Sequence, residues 1–132
     1  SNSLKVVLPA ILNHSNFLQE KYIAPIYGTA EIPSLNFKDA VVWIQEKDSV
    51  IIDPYHHLPK IEYDLSDEEL ELLFEGDGIA EGGAAMIAYN QMQFSEMSAV
   101  EKELLTNSLL KYCELDTFAM VLLWEFFKNK CL

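Results

Sequence analysis

Positive charge is scarce in this sequence. Nine Lys and Arg stand against 21 Asp and Glu, a formal net charge of −12. A groove that grips nucleic-acid phosphates needs clustered cations, and these 132 residues alone offer too few to line one. Cysteine is scarce as well. Cys113 and Cys131 have neither metal-ligand spacing nor the pattern of a disulfide framework, so reduced thiols and a cytosolic setting are expected. No apolar run approaches the roughly 20 residues of a membrane-crossing helix, and no signal peptide is visible. The leading Ser1-Asn2 reads as the scar of a cleaved tag. What the chain has in quantity is apolar side chains, 50 % of the total. That is enough for the core of one domain, or part of one, at this length, and too much for a disordered tail.

The apolar content is densest at residues 109–127, LLKYCELDTFAMVLLWEFF. The stretch holds no Gly or Pro and predicts a long, mostly buried helix. On a wheel of 3.6 residues per turn, Lys111, Glu114, Glu125 and Lys128 gather on one side and mark the expected wet face. Tyr112 and Asp116 fall on the opposite side, one above the other, with Leu109, Ala119, Met120, Leu123 and Phe127. An ionised carboxylate on the core side is costly unless it is paired or binds a cation. Asp116 is therefore either a rim residue satisfied by a partner, such as a Lys, or a metal-ligating carboxylate with a tyrosine beside it.

In chain order, residues 4–12 are apolar at helical spacing with Pro9 interrupting, and Ser15 can N-cap a second helix over 16–22. Residues 24–36 carry Pro25, Gly28 and Pro33 and predict a loop. The β-branched run 40–45, a polar turn at Glu46-Lys47-Asp48 and the run 49–52 predict a β-hairpin, with a helix over 37–46 as the competing reading. Asp53-Pro54 ends that segment. His56 and His57 are adjacent and lack further ligands, and His14 is far away in sequence, so a solvated turn is expected there instead of a zinc site. Lys5 could face a phosphate, but a lone Lys at such a place is expected to be solvated. Ser66 opens a helix through a capping box with Glu69, and Gly76 and Gly78 end it. Residues 79–94 form a helix whose Gly82-Gly83-Ala84-Ala85 would let the 109–127 helix approach closely, with Met86, Ile87, Tyr89 and Met92 building a shared core. A second capping box, Ser98 with Glu101, starts a helix that runs without a break toward Lys128. The expected fold class is mainly α with a β-hairpin.

Tyr112-x-x-x-Asp116 resembles the third motif of the DEDD exonucleases of the DnaQ-like, ribonuclease-H-type fold, in its tyrosine version. The wider string KYCELDTFAM resembles the C-terminal part of bacterial domain-of-unknown-function family 2779, which belongs to that superfamily. Ser3-Leu4-Lys5-Val6-Val7-Leu8-Pro9-Ala10, Asp53-Pro54-Tyr55 and Gly82-Gly83-Ala84-Ala85 are similar to the same family, so the resemblance spans most of the chain. It implies the C-terminal subregion of a metal-dependent 3′–5′ exonuclease acting on DNA or RNA. Asp116 would then ligate one of two Mg²⁺ or Mn²⁺ ions, and the Tyr112 hydroxyl would orient the attacking water. The family's Asp-x-Glu motif is missing. Its one formal match, Asp67-Glu68-Glu69, sits in a polar helix start and not on a strand. This piece is thus expected to be inactive alone. The cut face would leave apolar groups such as Met120 or Leu123 exposed, or covered by a partner such as a second copy. The alternative is a non-catalytic helical interaction module.

Overall fold

The computed structural model describes residues 3–59 and 80–131. They form four α-helices, one short antiparallel hairpin and a 3₁₀ turn. The helices are α1 (Leu4–His14), α2 (Asn16–Tyr22), α3 (Ala80–Phe94) and α4 (Ala99–Cys131). The mainly helical class with a hairpin is as the sequence predicts. The chain divides into two compact units, one of Asn2–Leu58 with Lys111–Leu132 and the other essentially Pro59–Leu110. Among the described residues no helix is long and apolar enough to cross a membrane.

In the first unit, α1 continues past Pro9. The ring removes only the amide that would reach the Lys5 carbonyl, while Leu8, Ile11 and Leu12 bury one face of the helix. Ser15 accepts a hydrogen bond from the Leu18 amide at 3.3 Å and starts α2, as predicted. The 24–36 loop is pinned where Tyr27 bridges both Ile32 and Val41. Gly28 takes φ +79° there, and a Cβ on it would lie 2.7 Å from the Asp39 carbonyl oxygen.

The hairpin exists, but its turn lies further along than the sequence suggests. Strands β1 (Glu46–Lys47) and β2 (Val50–Ile51) pair Glu46 with Ile51 and Lys47 with Val50. Residues 40–45, expected as a strand, make only the single bridge at Val41. The reason is the two-residue loop Asp48-Ser49. Both residues take left-handed φ, 53° and 64°, the geometry whose twist matches that of the flanking strands. The Asn13 carboxamide oxygen accepts the Ile51 amide at 3.0 Å and ties β2 to α1.

The core of this unit joins Leu8 and Leu12 of α1, Leu18 and Tyr22 of α2, Trp43 and Ile51 of the middle segment, and Leu115, Phe118, Ala119 and Leu122 of α4. Tyr27, Phe37, Trp43 and Phe118 stack on one another in tilted and edge-on contacts.

The buried stripe of α4 is turned by about a quarter of a circle from the predicted one at 100° per residue. Glu114 and Glu125, predicted to be wet, are half-buried and hydrogen-bonded. Met120 and Phe127, on the core side by the wheel alone, are exposed; for Met120, exposure is among the outcomes the family resemblance implies. Apolar groups surround this helix, so tertiary partners decided which side faces inward. The two glutamates find their donors on the 24–36 loop and on α2.

In the other unit, Ser98 and Glu101 form the predicted reciprocal cap. The Ser98 amide donates to Glu101 Oε2 at 2.8 Å, and the Glu101 amide donates to Ser98 Oγ at 3.2 Å. Met86 and Tyr89 are exposed, and the small Ala88 takes the buried position instead. Thr106 Oγ1 meets Met92 Sδ at 3.3 Å. The predicted Ser66–Glu69 cap and the Gly76 and Gly78 stop lie outside the described residues, as do the side chains of residues 80–84.

Candidate functional site

Asp116 sits on the flank of the buried stripe of α4, half-buried. Its Oδ1 accepts a short hydrogen bond from the Tyr55 hydroxyl. Tyr55 is delivered by a 3₁₀ turn, Pro54–His57. Pro54 presets the first turn residue, and Asp53 caps the turn by accepting the Tyr55 amide at 3.1 Å. The Tyr55 ring is buried. Burial first, and then the carboxylate of Asp116, push its hydroxyl far above the usual tyrosine range, so the phenol stays protonated and donates.

Tyr112, one turn before Asp116, packs its ring against Tyr55 with centroids 5.8 Å apart. Lys5 of α1 lies over both rings, 5.0 Å from that of Tyr55 and 4.8 Å from that of Tyr112. This is a cation–π clamp and not the solvated lysine the sequence suggests. Sequence, helix and turn thus place Lys5, Tyr55, Tyr112 and Asp116 in one cluster.

His57, expected in a solvated turn, is half-buried, and its Nε2 finds no hydrogen-bond partner among the described residues. Burial and the neighbouring His56 lower its pKa against the opposing pull of Asp53, so the ring is neutral at pH 7. His56 is exposed.

A second polar cluster lies on the other flank of α4. Glu114 accepts from the Tyr27 hydroxyl at 2.7 Å, the Asn36 amide at 3.2 Å, the Asn36 side chain at 2.6 Å and the Ser34 hydroxyl. Burial opposes its charge, yet the donors from Ser34, Tyr27 and Asn36 outweigh burial and hold the carboxyl below the usual range. Nearer the C-terminal end of α4, Glu125 receives Lys21 Nζ at 2.7 Å and the Tyr22 hydroxyl at 3.0 Å. Burial and then the Glu125 contact push Tyr22 up to about 12. These two clusters fasten the 24–36 loop and α2 to α4.

Two of the site residues, Tyr112 and Asp116, stand out in the sequence. Tyr55 does not, although Asp53-Pro54, a turn-forming pair directly before it, marks where it would be held. Among the described residues no three His, Cys, Asp or Glu side chains converge as a metal ion requires. No family model, curated protein or solved structure matches the chain.

Proposed function

We propose that this chain is the C-terminal portion of a DnaQ-like, metal-dependent 3′–5′ exonuclease and contributes its third acidic motif. The single observation behind this reading is the placement of Asp116. Its carboxylate is held at one oxygen by a protonated tyrosine, Tyr55, and lies one turn from Tyr112, whose ring shares the Lys5 ammonium with that of Tyr55. One carboxylate of this kind does not hold two divalent cations. The described residues alone therefore do not fit the metal pair, and the remaining ligands would come from the Asp-x-Glu and second acidic motifs of the full-length protein. In that setting Asp116 would supply one ligand, Tyr55 would fix its rotamer through the hydroxyl contact, and Tyr112 would stand beside it to orient a water. The group they would share, Mg²⁺ or Mn²⁺, would supply the Lewis acidity.

The test compares this chain with the full-length gene product on single-stranded DNA and RNA in Mg²⁺ or Mn²⁺. The chain alone should be silent. The full-length protein should degrade one of the substrates from its 3′ end and stop with chelator, and Asp116→Ala should abolish the activity. A full-length protein whose activity survives Asp116→Ala, or whose upstream sequence carries no Asp-x-Glu on a strand, would remove this reading. The second reading, a non-catalytic helical interaction module, is favoured by one observation: Met120, Trp124 and Phe127 point outward from α4.

A further inference from the structure

Lys5, Tyr55 and Tyr112 come from three elements, α1, the 3₁₀ turn and α4, and they close on one point. The Lys5 ammonium stands 5.0 Å from the ring centre of Tyr55 and 4.8 Å from that of Tyr112. The two rings meet at 5.8 Å, inclined by 55°. One cation thus faces both π-systems, and each contact orients a ring as well as attracting it. The lysine itself is held in place. It is half-buried on the first turn of α1, and Leu8 and Leu12 further along that helix are fully buried in the core. The two tyrosines are fixed in different ways. The Tyr55 ring is buried and its hydroxyl is tied to Asp116. Tyr112 is half-buried on the flank of α4, and its ring is oriented where it packs against Tyr55 and under Lys5.

We propose that Lys5 is a positioning residue of this site. Its ammonium sets the plane of the Tyr112 ring against that of Tyr55. It thereby sets where the Tyr112 hydroxyl stands relative to the Asp116 carboxylate. The catalytic consequence rests on the exonuclease reading; the placement of the ring does not. The two roles open to a lysine here act on different constants. A charge that grips a substrate phosphate acts on KM. A charge that holds a water-orienting hydroxyl in place acts on kcat, because a group misplaced by about 1 Å can cost about 10²-fold in rate.

Two measurements test the role. In the full-length protein acting on single-stranded DNA or RNA, Lys5→Met should lower kcat roughly tenfold or more and leave KM within about twofold. Lys5→Arg should recover most of the rate, because a guanidinium also stacks on aromatic faces. In this chain alone, NMR couplings about the first side-chain torsion of Tyr112 should report one rotamer in the wild type and in Lys5→Arg, and an average over rotamers in Lys5→Met. Loss of the signals in Tyr112→Phe assigns them. Circular dichroism checks that the variants are folded, and Lys5→Gln replaces Lys5→Met if the latter is not. A raised KM would make Lys5 a phosphate-binding group and overturn the proposal. Unchanged kinetics beside an inactive Asp116→Ala would also overturn it and leave the exonuclease reading standing. If the full-length protein degrades neither nucleic acid, that reading fails and the rotamer measurement decides for Lys5. A single Tyr112 rotamer in Lys5→Met overturns the proposal in every case.

Discussion

The Tyr55–Asp116 contact joins residues 61 positions apart, and no sequence period connects them. Asp116 is legible alone because a carboxylate in an apolar string demands a partner. The partner's identity is not, because the turn that delivers Tyr55 is set by tertiary packing. Tyr55→Phe should keep the ring contacts with Tyr112 and Lys5 and lose the hydroxyl. A hydrogen bond to a charged group contributes about 1.5–3 kcal/mol, and the half-exposed carboxylate keeps the effect at the lower end. Urea unfolding of Tyr55→Phe checks this, and a midpoint equal to the wild type would mean that water replaces the phenol at no loss. Gly28 is the other residue whose role is backbone geometry. Its φ of +79° and the 2.7 Å clash awaiting a Cβ predict that Gly28→Ala costs about 1–3 kcal/mol, read from the same unfolding curves.

At the scale of elements, local chemistry was legible and facing direction was not. The caps at Ser15 and Ser98 sit where serine and the reciprocal glutamate place them. The hairpin is present, but hydrophobic alternation put its turn too early. Chain reversal is decided by the pair able to adopt left-handed φ, and Asp48-Ser49 is an unremarkable pair by composition. Residues of higher left-handed tolerance should strengthen it. Asp48→Asn with Ser49→Gly is expected to raise stability by about 0.5–1 kcal/mol, and an unchanged or lower denaturation midpoint would count against the turn geometry. Helix α4 is the larger lesson. A wheel assumes one apolar side, and this helix has apolar groups on two. One side is taken by Leu115, Phe118 and Leu122 in the core, the other by Met120, Trp124 and Phe127 facing outward. Charge did not arbitrate either, because Glu114 and Glu125 are drawn inward by hydroxyl, amide and ammonium donors. Those donors come from residues 21–36, between 78 and 104 positions earlier.

For the molecule as a whole, a net charge of −12 sets two opposing responses to acid. Self-repulsion of excess negative charge destabilises the compact state, so lowering the pH from neutral toward the carboxylate range relieves it. Against this stands Glu114, whose carboxyl is held below its ordinary value by Ser34, Tyr27 and Asn36 despite burial. A group depressed in the folded state contributes stability that is fully present above its unfolded value, about 4.3 for glutamate. That contribution is lost as the pH falls through the folded value. Stability should therefore rise gently from pH 7 into mild acid and then fall once Glu114 protonates and releases the 24–36 loop. The phenols mirror this at the other end. Tyr22 is pushed up to about 12, chiefly by burial, so its contribution is complete below about pH 10 and fades as the pH climbs toward the folded value. Glu114→Gln separates the two acid effects. It removes one negative charge, which affects self-repulsion little, and it abolishes the titrating clasp. The variant should be less stable at neutral pH and show a shallower acid limb in urea unfolding measured across pH. An acid limb as steep as the wild type's would assign the loss to other carboxylates and leave the Glu114 cluster as packing alone.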